Sequence, residues 1–193
     1  MLNLLPSILR YPGGKSRAVR IILRLVPDYA EYREPMVGGG SVFLSLRQLR
    51  PQARYWINDL NRDLFSLWVS IRDQPDSLME RVHQLKRRFD SPKDLFLFLR
   101  DWRPPTTLQR GVRYFILNRI GFSGLVDTGG TFSEHAYHVL FSSAVIRRIG
   151  QIAPLLQNVQ ITNEDYSVLL LSLIHISEPT RLLSISYAVF CLK

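Results

Sequence analysis

The first sixty residues alternate between helical and strand-like spacing of apolar positions. SRAVRIILRLVP has apolar residues three and four apart, which predicts a helix that Ser16 could cap and Pro27 would end. YREPMV predicts a short buried strand leading into Gly38–Gly40, SVFLSLRQL a helix, and ARYWIND a second strand. Strand, glycine turn, helix and strand form a βαβ unit, which implies that the two strands are parallel.

The middle of the chain shows only helical periodicity. Four such segments are separated by breaks that contain Pro or Ser: NRDLFSLWVSIRD, PDSLMERVHQLKRRF, SPKDLFLFLRDW and TTLQRGVRYFILNRI. An irregular Gly-rich segment follows, then a helix from about Ser143 to Leu156 and a strand, VQIT. The pattern predicts an α/β core of residues 1–63 and 139–170, interrupted by a mainly helical insertion at 64–138.

The net charge of the chain indicates a class of binding partner. The 193 residues carry 25 Lys and Arg against 16 Asp and Glu, and the formal charge of +9 favours a polyanionic partner such as nucleic acid. The single cysteine permits no internal disulfide, and no apolar run approaches the roughly 20 residues of a membrane helix. We therefore expect a cytoplasmic protein. The histidines at 83, 135 and 138 lack metal-ligand spacing, so no metal site is predicted.

The glycine turn is the first candidate for chemistry. Glycine backbone between a strand and a helix lets a ligand approach closely, but Phe43 stands where a dinucleotide fingerprint needs its third glycine. Asp59, about twenty residues further on, is suited to accept hydrogen bonds from ribose hydroxyls. The pair favours a nucleoside ligand such as S-adenosylmethionine. Alternatively, the glycines serve packing and Asp59 caps the next helix.

Three further segments carry candidate residues. RYPGGKS is no phosphate loop, because Leu9 replaces the first glycine, but its Gly-Gly turn could offer Tyr11 and Lys15 to an anion; a solvated turn is the alternative. NRIGFSGL ends a basic helix at a turn suited to face DNA, unless Phe122 is core and the glycines cap the helix. In ITNEDYSVLL, Asp165 could contact a cofactor or simply start a helix.

Taken in order, RYPGGKS, EPMVGGGSVF, INDLNRDL, RYFILNRIGFSGL and NEDYSVLL resemble the Dam-type family of adenine-specific DNA methyltransferases, from Leu9 to about Leu170. The resemblance implies a Rossmann-like, S-adenosylmethionine-dependent α/β core with a helical DNA-recognition insertion. It implies methyl transfer from S-adenosylmethionine to the exocyclic amino group of an adenine flipped out of double-stranded DNA. The residues themselves predict no membrane and no metal, and the resemblance allows for a cognate restriction nuclease.

The resemblance also assigns site residues. Those expected to bind S-adenosylmethionine are Tyr11, Lys15, Gly38, Gly39, Gly40, Asp59 and Asp165. Those expected to face DNA are Arg119, Phe122, Ser123 and Leu125. Asp127 stands where Dam proper carries a base-reading arginine, so a GATC target is not inferred.

Two other function classes stay open beside this one. A non-catalytic DNA-binding module has no need for a glycine turn opposite Asp59. An RNA or small-molecule methyltransferase leaves the basic helical insertion unexplained.

The end of the chain departs from the family. The catalytic tetrapeptide Asp/Asn-Pro-Pro-Tyr/Phe, expected on the strand after NEDYSVLL, does not occur, and the one Pro-Pro pair is Pro104–Pro105 in the insertion. Residues 171–193 resemble a translated sequencing-library adapter rather than a native tail. We therefore expect an incomplete core without catalytic residues, which makes this chain inactive and unstable.

Overall fold

A computed structural model of the chain describes residues 4–124, 126, 131–171 and 190–192. Three short strands, β1 (Glu31–Glu34), β2 (Arg54–Asn58) and β3 (Val159–Thr162), form a parallel sheet in the order β3-β2-β1. A fourth, β4 (Phe190–Leu192), pairs antiparallel with β1. The predicted parallel pairing is confirmed, since Tyr32 lies opposite Tyr55 and Glu34 opposite Ile57.

Helices make up most of the remaining described chain. They are α1 (Val19–Leu25), α2 (Ser41–Leu49), α3 (Arg62–Asp73), α4 (Pro75–Arg88), α5 (Pro92–Asp101), α6 (Thr107–Ile120), α7 (Ser143–Ile152) and α8 (Tyr166–Leu171). Short 3₁₀ turns occur at Lys15–Arg17, Phe122–Gly124 and Ala153–Leu156, and a π-helical turn at Ala136–Leu140. The helices predicted in the middle of the chain are confirmed. None of the described helices has both the length and the apolar character needed to cross a membrane.

Two predicted boundaries near the N-terminus differ from the structure. Ser16 does not cap the first helix, because it lies inside the 3₁₀ turn and α1 begins only at Val19, without a side-chain cap. The first strand ends at Glu34 rather than at the glycines, since Pro35 has no N–H to donate to the sheet.

The core lies between the sheet and the central helices. Trp68 of α3, Phe43 of α2 and Phe115 of α6 are fully buried in it. The helix α3 packs against α6 and also contacts β3. The predicted division between residues 63 and 64 thus falls inside α3, and the two-part organisation stays a prediction.

The interpretation of residues 171–193 falls mostly outside the described residues. Of that segment, the structure describes the last residue of α8 and the strand β4, which pairs with β1 in register Cys191 to Tyr32. The adapter interpretation stays a prediction.

Candidate functional site

The carboxyl ends of the three parallel strands meet at one edge of the sheet, where buried Asn58 joins the loops that follow them. Its Nδ2 donates to the carbonyls of Pro35 and Glu164, each at 2.9 Å. Its Oδ1 accepts from Thr162 Oγ1 at 2.8 Å and from the Glu164 N–H at 2.9 Å. All four hydrogen-bonding positions of the amide are used. Asn58 therefore fixes the edge on which the candidate residues stand.

Asp59 connects this edge to the glycine turn. Its Oδ2 accepts from the Gly38 N–H at 2.9 Å and its Oδ1 from the Asn61 N–H at 3.0 Å, and the residue is 8% exposed. It does not cap α3, because Asn61 does so by accepting from the N–H groups of Asp63 and Leu64. The spacing that paired Asp59 with the glycines thus corresponds to a direct contact.

Aromatic rings cover the glycine turn. A Cβ on Gly38 would lie 2.8 Å from Cε1 of Tyr11, and one on Gly40 would lie 2.7 Å from the Trp68 ring. Gly38 and Gly40 also have positive φ angles of 48° and 67°, which disfavour other residues. Packing against Tyr11 and Trp68 therefore accounts for these glycines in the structure as it stands. Of these two residues, only Tyr11 is exposed to solvent, at 39%.

Two further predicted cofactor residues lie in turns, where Lys15 is half-buried and Asp165 is exposed. The Gly14 N–H donates to the Tyr11 carbonyl at 2.9 Å, which closes the first turn, and Lys15 Nζ donates to the Gly13 carbonyl at 2.8 Å. Asp165 Oδ1 accepts from the Ser167 N–H at 2.9 Å at the start of α8, as the helix-start alternative expects. Hydrogen bonds from Ser167 lower the pKa of the Asp165 carboxyl.

Glu34 is a buried acid that the sequence patterns did not single out. Its Oε2 accepts from Tyr32 Oη at 2.8 Å and from the Phe43 N–H at 3.1 Å. Burial raises the pKa of Glu34 to about 8, against the two hydrogen bonds, and the charge of Asp59 acts in the same direction as burial. Burial therefore favours the protonated form of this carboxyl. The signal available in the sequence was an acid within YREPMV, the segment predicted as a short buried strand.

Arg119, in the last turn of α6, differs from expectation. This side chain is buried, 7% exposed, rather than presented to a partner. Its Nε donates to the Leu140 carbonyl at 2.8 Å, a second guanidinium nitrogen reaches the same oxygen, and Nη1 donates to the Ile8 carbonyl at 3.0 Å. Burial lowers the pKa of Arg119 to about 10, and the charges of Arg10 and Arg148 add to this. The guanidinium holds two loops together.

Phe122 and Ser123 do face solvent. Phe122 is 62% exposed, so it is not the core residue of the alternative interpretation. Ser123 is exposed as well and has a left-handed backbone with φ of 54°. The Phe122 N–H donates to the Thr131 carbonyl at 2.7 Å, which anchors the turn. Leu125 and Asp127 lie outside the described residues.

Asn118 joins the Tyr11 turn to the Phe122 turn. Its Oδ1 accepts from the Arg10 N–H at 3.0 Å, while its Nδ2 donates to the carbonyls of Arg10 at 2.7 Å and Gly124 at 3.0 Å. Arg10 Nη1 in turn donates to the Gly121 carbonyl at 2.9 Å. Two segments more than a hundred residues apart thus form one surface beside the glycine turn. The sequence shows Asn118 in NRIGFSGL, but it does not show that Arg10 is its hydrogen-bonding partner.

A small parallel sheet whose carboxyl edge carries a glycine turn and a paired acid is consistent with an α/β methyltransferase. The family model of D12 class N6 adenine-specific DNA methyltransferases matches residues 11–177, and the chain belongs to this family. The described side chains contain no group of three or more His, Cys, Asp or Glu residues that could hold a metal ion.

Curated relatives agree with this assignment. The chain is 32% identical over 124 residues to a DNA adenine methylase of Vibrio cholerae, covering 62% of this chain and 42% of the relative. It is 31% identical over 131 residues to the Type II methyltransferase M1.LlaDCHI of Lactococcus lactis, covering 64% and 44%. It is 29% identical over 121 residues to the DNA adenine methylase of Escherichia coli K12, covering 62% and 42%. The chain thus spans less than half the length of these relatives.

Proposed function

We propose that this chain is the cofactor-binding and part of the DNA-recognition portion of an S-adenosylmethionine-dependent DNA adenine methyltransferase. One observation supports this most directly: Asp59 holds the Gly38 N–H while the Tyr11 ring covers the same turn. Three separate segments of sequence therefore meet at the carboxyl edge of the parallel sheet, where α/β folds bind their ligands. We further propose that the core is Rossmann-like and that residues 64–138 are its recognition insertion.

The chemical groups at this edge suit the proposed cofactor. Two backbone N–H groups orient the Asp59 carboxylate, which is an acceptor for ribose hydroxyls. The ammonium of Lys15 suits the carboxylate of a methionine moiety, and the exposed Asp165 suits the adenine end. The accessible face of Tyr11 suits a cationic sulfonium. When bound, S-adenosylmethionine supplies the methyl group.

The DNA side of the proposal rests on the turn after α6. An exposed aromatic ring at Phe122 and a hydroxyl at Ser123 suit stacking and hydrogen bonding to an extruded base or its neighbours. We propose that Leu125 belongs to the same surface. Arg119 has a different role in this proposal: it positions the turn by binding the Leu140 carbonyl rather than touching phosphate. A cognate restriction nuclease stays a prediction.

Catalysis itself needs groups that the sequence lacks. Acceptors for the amino hydrogens of adenine, which the resemblance assigns to Asp/Asn-Pro-Pro-Tyr/Phe, are not encoded in the 193 residues. We therefore propose that this chain binds S-adenosylmethionine but does not transfer its methyl group. Radiolabelled S-adenosylmethionine and adenine-containing duplexes provide the assay, and methyl transfer by the purified chain would contradict this part of the proposal.

Calorimetric titration with S-adenosylmethionine tests the cofactor site. Asp59→Asn should weaken binding by about tenfold or more, because hydrogen bonds to a charged group contribute roughly 1.5–3 kcal/mol. Asp90→Asn is the matched control, since Asp90 is an exposed carboxylate between α4 and α5 and should bind as the unmodified chain does. Equal affinities of the Asp59 variant and the unmodified chain would overturn the site.

The same preparation separates the other function classes. A DNA-binding module would bind duplex DNA and show no heat with S-adenosylmethionine. An RNA or small-molecule methyltransferase would bind the cofactor but not the duplex.

A further inference from the structure

A cavity of about 320 Å³ lies within the helical part of the molecule, between α4, α5 and α6. Its lining residues are Arg81, Gln84, Leu85, Arg88, Phe98, Trp102, Gln109 and Val112. Its volume falls at the lower end of the range of small-molecule sites. None of the residues assigned above to cofactor or DNA lines it.

One wall of the cavity is an aromatic layer. The rings of Phe98 and Trp102 are stacked, with centroids 5.7 Å apart and an interplanar angle of 23°. The guanidinium of Arg88 lies over the Phe98 ring, 5.6 Å from its centroid. A guanidinium that lies over an aromatic ring can still donate its N–H groups to an anion. The wall therefore offers stacking area and positive charge side by side.

The positive charge of the cavity is not neutralised within the described chain. Neither Arg81 nor Arg88 forms an ion pair with any described residue, and the described lining includes no Asp or Glu. One carboxylate contacts the lining, since Glu80 Oε1 accepts from Gln84 Nε2 at 3.0 Å, but it forms no ion pair with either arginine. The amide of Gln109 adds a polar group of the kind that bonds to base edges. A cation such as S-adenosylmethionine is disfavoured here.

We propose that this cavity is a second ligand site, which binds a nucleotide group. The planar base stacks on Trp102, and Arg81 and Arg88 bind its phosphate. Inorganic phosphate alone would leave the aromatic wall unused, and an uncharged aromatic ligand would leave the two guanidiniums unused. The same chemistry has two sources, a free mononucleotide or an unpaired nucleotide of single-stranded DNA.

The cavity borders α6, the helix whose Asn118 joins the Tyr11 turn to the Phe122 turn. Gln109 precedes Asn118 by two and a half turns of α6, a distance of about 14 Å along the helix axis. The proposal does not rest on methyl transfer or on cofactor binding, since it uses none of the residues at the sheet edge.

Titration of the full chain with thymidine 5′-monophosphate tests the site through the fluorescence of Trp102. The unmodified chain should show quenching that is lost in Trp102→Phe, and the same affinity with and without S-adenosylhomocysteine. The double variant Arg81→Gln, Arg88→Gln should bind about tenfold more weakly or worse. Thymidine without phosphate should also bind more weakly. Arg87→Gln is the matched control, because Arg87 is an exposed arginine of α4 outside the cavity, and should stay within about twofold.

A short single-stranded thymidine oligonucleotide forms the second arm. Binding of the oligonucleotide alone, with the same dependence on the two arginines, identifies DNA as the source. Circular dichroism melting of each variant separates loss of binding from loss of the fold, and Gln109→Ala offers a second variant without a charge change. Absence of binding in both arms overturns the site, as does equal binding by the double variant or equal weakening by Arg87→Gln.

Discussion

At the residue scale, the candidate site depends on polar side chains that are buried and fully engaged. Asn58 and Asn118 each bond to backbone groups of distant segments, and Arg119 does so with a charged group. Such contacts cost much to break, because a buried donor or acceptor left without a partner loses its solvation. These residues position the loops that carry the exposed groups, Phe122 among them.

Glu34 should make stability depend on pH. Its pKa is raised from 4.5 to about 8, so the folded chain holds a proton that the unfolded chain has released. The contribution of this group is present in full below the unfolded pKa and is lost as the pH rises through the folded pKa. Between about pH 5 and 8, the unmodified chain should lose stability relative to Glu34→Gln by roughly 1.4 kcal/mol per pH unit at most.

Urea unfolding across that pH range checks the effect. Glutamine keeps an acceptor for Tyr32 Oη and the Phe43 N–H but cannot titrate. Parallel stability curves for the two proteins would show that Glu34 is ionised in the folded state.

Residues differ in how far the sequence reveals them. Asp59 was predictable because its distance from the glycines is set by one βαβ unit. The burial of Arg119 was not, since its partners are carbonyls of Leu140 and Ile8, brought close only by the tertiary fold. Glu34 lies close in sequence to its partners Tyr32 and Phe43, but the burial that raises its pKa depends on the tertiary fold and was not predictable.

At the scale of elements, the helices follow from local sequence. Side chains of Asn61, Ser91, Thr106 and Ser142 cap α3, α5, α6 and α7, and their apolar residues recur at helical spacing. The irregular segment between α6 and α7 has no such period, and its π-helical turn at Ala136–Leu140 could not be predicted. Local signals define elements, whereas the turns that carry the candidate site depend on packing.

The contact between α3 and α6 depends on Gly111. A Cβ there would lie 2.9 Å from Ser70 Oγ, 3.1 Å from the Ser66 carbonyl oxygen and 3.1 Å from the Leu67 Cα. Because two of these neighbours are backbone atoms, Gly111→Ala should destabilise the protein by about 1–3 kcal/mol through overpacking.

Gly150→Ala in α7 is the matched comparison. Its Cβ would meet only the flexible end of Met79, at 3.3 Å. This change should be neutral or should stabilise the protein by about 0.5–1 kcal/mol, through the higher helix propensity of alanine. Thermal or urea unfolding measures both variants, and a stabilised Gly111→Ala would show that the two helices have room to separate.

At the scale of the whole molecule, the net charge of +9 should dominate any affinity for DNA. Binding to duplex DNA should fall steeply with salt, with a slope of about 0.9 per neutralised phosphate in a plot of log K against log salt. Phe122→Ala should weaken binding without changing that slope, because the ring carries no charge.

Fluorescence anisotropy with a labelled duplex, between low and physiological salt, makes both measurements. Leu25→Ala is the control, since Leu25 is likewise an exposed apolar residue, at 76%, and belongs to α1 rather than to this turn. An affinity that does not change with salt would contradict the dominant role of charge. An unchanged affinity of Phe122→Ala would exclude the turn after α6 from DNA binding.

The link between Arg10 and Asn118 also bears on the timing of folding during synthesis. The two residues are 108 positions apart, so the hydrogen bonds that join the Tyr11 turn to Asn118 cannot form until α6 has been made. Domains form during translation as their parts leave the ribosome. The Tyr11 turn and the Phe122 turn are thus joined only after residue 118 has been made, and a pause in translation before it would leave these hydrogen bonds unformed.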